Sequence, residues 1–209
     1  MNISLKKILV KLPNGKLLFQ LGDFNVASGS RVLIQGPSGK GKTTLLHVMA
    51  GLLTPDEGTV EIGNKNLKYL SDDERCVLRR DHIGMIYQKL NLVDYLTASE
   101  NVQLGSELPN RETARQVLKE LNLSGSEEKL AVSLSLGEQQ RVAVARVIAR
   151  RPQIILADEP TSSLDDRNAE VLLSSLLDKK LNSTVVMVSH DHRARAHFDK
   201  VIDFEKLVN

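Results

Sequence analysis

The sequence predicts an α/β fold built on a parallel sheet covered on both faces. Two observations carry that expectation. Residues 31–35, 153–157 and 184–188 are short runs of strand length with a continuous apolar centre, the pattern of strands buried on both faces. Segments with helical spacing stand between them, so strands and helices alternate along the chain.

The elements follow in order. Residues 2–10 and 16–26 hold apolar runs on either side of Pro13-Asn14-Gly15, a turn signal that predicts two strands. Residues 31–35 form the first buried strand, joined by a glycine-rich turn to a helix over 42–50. A strand over 58–62 follows Pro55-Asp56-Glu57. Ser71 stands three residues before Glu74, a capping-box pattern that starts a helix over 71–80. Residues 82–88 are expected as a strand. Residues 91–131 are expected to be mainly helical and polar, with breaks at Leu108-Pro109-Asn110 and Ser124-Gly125-Ser126. A helix over 139–150, the strand over 153–157 and a helix over 167–181 come next, the last with Leu172, Leu173, Leu176 and Leu177 on one face. Strands over 184–188 and 201–204 complete the set.

Composition bounds the function. A chain of 209 residues, 41% hydrophobic and 26% charged, suits one globular domain with a small insertion and excludes a disordered chain. Aromatics at 3% argue against an aromatic-lined carbohydrate or single-stranded nucleic-acid binder. A net charge of +2 gives no prediction of nucleic-acid binding. Cys76 is the sole cysteine and cannot form an internal disulfide, so a reducing cytoplasm is the expected compartment. No run approaches the roughly 18 apolar residues of a membrane span, and Lys6, Lys7 and Lys11 interrupt any signal-peptide core.

The strongest motif is Gly36-Pro37-Ser38-Gly39-Lys40-Gly41-Lys42-Thr43, followed by Thr44, which fits G-x-x-x-x-G-K-[ST] between a strand and a helix. Its glycines let backbone N–H groups close around phosphate, and the helix N-terminus adds its dipole. Lys42 is expected to reach the β- and γ-phosphates and the Thr43 hydroxyl to ligate Mg²⁺. A second motif, Ile154-Ile155-Leu156-Ala157-Asp158-Glu159, ends an apolar strand in two carboxylates. Asp158 is expected to hold Mg²⁺ and Glu159 to polarise the attacking water.

A third motif, Leu134-Ser135-Leu136-Gly137-Glu138-Gln139-Gln140-Arg141, resembles the L-S-G-G-[QE]-Q-x-R signature of ABC ATPases. The resemblance spans nearly the whole chain, through Gln88 after a strand, Ser163-Leu164-Asp165 after Glu159 and His190 after the strand over 184–188. The stretches Ile86-Tyr87-Gln88, Leu96-Thr97-Ala98-Ser99-Glu100-Asn101-Val102 and Leu156-Ala157-Asp158-Glu159-Pro160-Thr161 are most similar to the LolD/MacB branch. It implies a P-loop NTPase fold as one cassette over 1–209, with an N-terminal antiparallel β subdomain and an α-helical subdomain inserted at about 89–135.

The resemblance also implies a mechanism. Two copies pair head to tail, and Ser135, Gly137 and Glu138 of one chain contact ATP held by the other's P-loop. Gln88 senses Mg²⁺ and the attacking water, and His190 acts as a linchpin with Glu159. An integral membrane permease is the implied partner, placing the chain on the cytoplasmic face of the inner membrane. Residues 89–102 would frame the groove for the permease's helix, with Leu90, Leu92, Val93, Tyr95 and Leu96 as its apolar surface. The alternative is an FtsE-like regulator of cell-wall hydrolysis. Soluble two-cassette translation factors and coiled-coil repair ATPases do not fit 209 residues, and no N-K-x-D guanine motif follows Asn64-Lys65.

Two positions depart from the family pattern. Leu136 replaces the first signature glycine; a positive φ there would cost about 1–2 kcal/mol, whereas a helix start would tolerate leucine. Retention of Ser135, Gly137 and Arg141 favours tolerance. Leu12 stands where the family places an adenine-stacking aromatic, and Phe19, the fallback, is expected in the core, so modest adenine selectivity is expected. His190, His192 and His197 lack zinc spacing. Arg146, Arg150 and Arg151 are expected as a solvated helix end, and Cys76 as packed or incidental rather than catalytic.

Overall fold

The computed structural model describes residues 1–104 and 110–208. Its strands are β1 (Ile3–Lys11), β2 (Leu17–Leu21), β3 (Phe24–Val26), β4 (Arg31–Gln35), β5 (Glu57–Ile62), β6 (Lys65–Asn66), β7 (Ile83–Ile86), β8 (Ile154–Asp158), β9 (Thr184–Val188) and β10 (Lys200–Asp203). Its helices are α1 (Lys42–Met49), α2 (Asp72–His82), α3 (Ala98–Gln103), α4 (Arg111–Glu120), α5 (Leu136–Ile148), α6 (Asp166–Leu176) and α7 (Phe204–Leu207).

The expected parallel sheet has the order β10-β4-β9-β8-β7. Its side chains alternate between two cores. Leu33, Ile155, Ala157, Val185 and Met187 pack with residues of α3, α4, α5 and α6. Ile34, Ile154, Leu156, Val186 and Val188 pack with α1 and the second sheet. That second sheet is antiparallel, β2-β1-β5-β6 with β3 also on β1. The central strands end level, since Val188 pairs with Ile34 on one side and Asp158 on the other. The turns after β4, β8 and β9 therefore open side by side at the carboxyl edge, where open α/β sheets bind ligands.

Several boundaries differ from expectation. Residues 16–26 split at Gly22-Asp23, because β2 and β3 pair with different parts of β1. The helix expected over 167–181 stops at Leu176, although Leu172, Leu173, Leu176 and Leu177 are all buried as one face. Phe204 belongs to α7, which Asp203 caps by accepting from the Glu205 N–H.

The largest difference lies in 91–131, where the described helices are α3, α4 and a 3₁₀ turn at Ala131–Ser133. Buried Asn101 accepts from the Val93 N–H and donates to the carbonyls of Val93, Leu96 and Thr97. It thereby holds the approach to α3 as a loop, and the Thr97–Glu100 capping box starts the helix only at Ala98. The break expected at Leu108-Pro109 lies outside the described residues; Asn110 caps α4. The break at Ser124-Gly125-Ser126 is a turn, with Gly125 at φ +83°.

Candidate functional site

The glycine-rich turn after β4 leads into α1, whose N-cap, Gly41, has no side chain to satisfy the first-turn N–H groups. With no acidic residue in that turn, the helix start is a ready anion site. Gly41 sits at φ +105°, and a Cβ there would stand 2.8 Å from Phe19 Cδ1, so only glycine fits. Phe19 is buried and packs edge-on against Phe204 at 5.9 Å, in the core as expected. Leu12 and Leu18 line the cleft over this turn, leaving apolar contact in place of an aromatic stack.

Lys42 lies on the floor of that cleft, donating through Nζ to the carbonyls of Gly36 and Pro37 at 2.8 Å each. Thr43 donates through Oγ1 to Asp158 Oδ2 at 2.7 Å. This joins the helix start to the end of β8 and gathers two oxygen donors of the hard type that Mg²⁺ selects. Burial pushes the Asp158 carboxyl above its usual range; the Thr43 hydrogen bond opposes this and the Glu159 charge adds to it.

Glu159 is 6% exposed and holds φ +49°, a conformation uncommon for residues with a side chain. Three bonds hold its carboxylate. Oε2 accepts from Ser189 Oγ at 2.8 Å, and Oε1 from the His190 N–H at 3.1 Å. His190 Nδ1 stands 2.9 Å from Oε1. The Glu159 backbone N–H donates to the Val188 carbonyl, and the Glu159 carbonyl accepts from Gln140 Nε2. The Glu159–His190 pair implied by the resemblance is thus in hydrogen-bond contact. Ser189 and Gln140 are not among the site residues that the sequence predicts. Their only sequence signal is position, next to His190 and within the signature.

Ser38, Gly39, Thr44 and Gln88 line the same cleft with Asp158, Glu159 and His190. Lys40 points elsewhere, forming an exposed ion pair with Glu205 at 3.3 Å. Ser135, Gly137 and Glu138 stand apart from the cleft, at the start of α5. There Ser135 and Glu138 form a capping box: Ser135 N and Oγ each donate to Glu138 Oε2 at 2.8 Å. The Ser135 bonds hold the Glu138 carboxyl below its ordinary range. Gly137 packs on the turn after β8, where a Cβ would meet Leu164 Cδ2 at 3.2 Å.

Leu136 opens α5 without a positive φ and is 60% exposed. The helix-start alternative therefore describes it, and the backbone carries no penalty. Leu136→Gly is expected to leave maximal ATP turnover within about three-fold of wild type, since the cap bonds are untouched and a glycine there costs only about 1 kcal/mol of helix propensity. A steady-state assay showing a ten-fold gain would mean that leucine obstructs the site.

Two of the three arginines expected at a solvated helix end are instead engaged, while Arg151 is exposed. Arg146 donates to the carbonyls of Asn91 and Leu90 at 2.7 and 2.9 Å, fastening the segment after Gln88 to α5. Arg150 donates to the Arg80 carbonyl. In the segment expected as groove surface, Tyr95 is 80% exposed, while Leu90, Leu92, Val93 and Leu96 are half-buried. A cleft of about 410 Å³ lies beside it, with Leu52, Ile83, Met85 and Leu104 on its apolar side and Arg79 and Arg150 on its polar side. No cluster of metal-ligating side chains occurs among the described residues, His192 and His197 included. Nor is any described helix long and apolar enough to cross a membrane.

Comparison with known proteins gives the lineage. Residues 20–162 match the model of the ABC transporter family. The chain is 37% identical to the lipoprotein-releasing system ATP-binding protein LolD of Legionella pneumophila over 86% of its length and 83% of the relative's. It is 38% identical to MacB, a macrolide export ATP-binding/permease protein of Escherichia coli, but spans 29% of that longer chain. A dimeric structure of the ATP-binding cassette MJ0796 in a post-hydrolysis state, bound to ADP and Pi, superposes with a TM-score of 0.88 at 34% identity, covering 96% of this chain and 93% of that one. MJ0796 itself comes from Methanocaldococcus jannaschii and is 38% identical over 93% of this chain. With its phosphate turn, paired carboxylates and signature helix in the family order, the chain belongs to the ABC transporter family, as an ATP-binding and ATP-hydrolysing cassette of the LolD/MacB type.

Proposed function

We propose that the chain powers an integral membrane permease by closing as an ATP-dependent head-to-tail homodimer and reopening on hydrolysis. One observation carries this proposal: the turns after β4, β8 and β9 bring Lys42, Thr43–Asp158 and Glu159–His190 into one cleft, while Ser135 and Gly137 stand outside it. The cleft of a single chain thus holds the phosphate cradle and the base but not that chain's own signature, as two half-sites shared between copies require.

Gly36 to Thr44 wrap the phosphates, with Lys42 leaving its two carbonyl partners to neutralise the β- and γ-oxygens. Thr43 and Asp158 would hold Mg²⁺, which would offset the phosphate charge, and Gln88 would sense it. Glu159 accepts the proton of the attacking water at its carboxylate, oriented by Ser189 and the His190 N–H. His190 holds the γ-phosphate side. Ser135, Gly137 and Glu138 present the start of α5 to the partner copy's nucleotide.

On this reading residues 1–209 form one cassette, with a helical subdomain at about 89–135. The chain sits on the cytoplasmic face of the inner membrane, held there by the permease. The cleft between Leu52 and Leu104 would take an amphipathic permease helix. Purification from native membranes is the direct test. The chain is expected to bring down an integral membrane protein, and recovery of ribosomes in its place would overturn the proposal.

A further inference from the structure

The side chain of Arg193, three residues beyond His190, crosses between two loops that the chain's order keeps far apart. Its Nε and Nη2 donate to Asp191 at 2.8–3.1 Å. Its Nη1 donates to Asp166 Oδ1 at 2.6 Å, and both Nη atoms reach the Leu164 carbonyl at 3.3 Å. Asp191 also accepts from Thr161 Oγ1 at 2.7 Å. Burial raises the Asp191 carboxyl, but the bonds from Arg193 and Thr161 outweigh it and hold the group at about 2. The same contacts raise Arg193 further above its usual range, so the pair stays charged near neutral pH.

Both ends of this bridge lead to functional groups. On one side, the Asp191 N–H donates to Ser189 Oγ at 3.0 Å, and Ser189 donates to Glu159 at 2.8 Å. On the other, Leu164 and Ser163 pack against Gly137 at the signature. A continuous path therefore runs from the start of α5, which faces the partner's nucleotide, to the chain's own catalytic carboxylate.

Resting on the proposed head-to-tail dimer, we propose that Arg193 is a positioning residue: it couples occupation of the signature by the partner's nucleotide to the orientation of Glu159 in its own site. A planar fork suits this, because it can hold one carboxylate and still reach a second loop. When the Ser163–Asp165 turn settles against a bound partner, Arg193 draws Asp191 and Ser189 into register with Glu159.

Steady-state hydrolysis over a range of ATP concentrations tests the coupling. Wild type is expected to respond cooperatively. Arg193→Ala should lower kcat about ten-fold with KM within about two-fold, and move the Hill coefficient toward one. Arg193→Lys should recover part of the loss, because an ammonium reaches one carboxylate without the fork. Asp166→Asn, at a side chain 93% exposed, keeps the fold and removes the charge that anchors the far end of the bridge, leaving the Leu164 carbonyl as the remaining backbone acceptor there. It should reduce kcat and cooperativity in the same direction, with no further loss when added to Arg193→Ala. Cooperative turnover at the wild-type rate in Asp166→Asn and Arg193→Ala would overturn the inference while leaving the dimer intact. Wild-type hydrolysis without cooperativity would overturn the dimer and the inference together.

Discussion

Glu159→Gln is expected to lower ATP turnover by about 10²–10⁴ while leaving nucleotide binding unchanged. The substitution keeps the size of a side chain that is 6% exposed and held at φ +49°. Its amide oxygen can still accept from the His190 N–H, and its NH₂ can donate to Ser189 Oγ, which is itself able to accept. What disappears is the proton acceptor. Lys42 and the phosphate turn are untouched, so ATP still binds and the dimer still closes, but hydrolysis no longer reopens it. Size-exclusion chromatography with ATP should show a stable dimer that wild type forms only transiently. Full turnover in this variant would remove Glu159 from the base role.

The strands were the most legible part of the sequence, because a buried parallel strand is a continuous apolar run. β4 and β9 match the expected bounds residue for residue. The capping box at Ser71 was equally visible, since it needs only two side chains three residues apart. The site was legible where the chemistry lies in contiguous side chains, as in the phosphate turn and the Asp158-Glu159 pair.

Legibility failed where a side chain captures a distant backbone carbonyl, for a carbonyl has no sequence signature. Arg146 takes carbonyls at Leu90 and Asn91, where the sequence alone predicts a solvated side chain. Asn101 took three carbonyls and turned an expected helix into a loop. Ser135 illustrates a different limit. The signature motif assigns it to a ligand, yet its hydroxyl also closes a capping box with Glu138 that sets where α5 begins.

Lys42→Ala should fail at the step that Glu159→Gln preserves. The Lys42 ammonium is buried on the cleft floor and bonds the carbonyls of Gly36 and Pro37. In the occupied site it trades those neutral acceptors for phosphate oxygens. A hydrogen bond to a charged partner contributes about 1.5–3 kcal/mol against about 0.5–1.5 for a neutral one, so the two exchanges together are worth about 2–3 kcal/mol. At about 1.4 kcal/mol per decade, ATP affinity is expected to fall about 30–100-fold. The fold should survive, because the Gly36 and Pro37 carbonyls lie on a turn that water reaches once the ammonium is gone. Titration with a fluorescent ATP analogue should give that weakened affinity, with thermal unfolding of the nucleotide-free protein little changed. Without bound ATP no dimer should accumulate, even when Glu159→Gln is added, since a block on reopening has no consequence for a dimer that never closes. Wild-type affinity in Lys42→Ala would show that the backbone N–H groups of the turn hold the phosphates unaided.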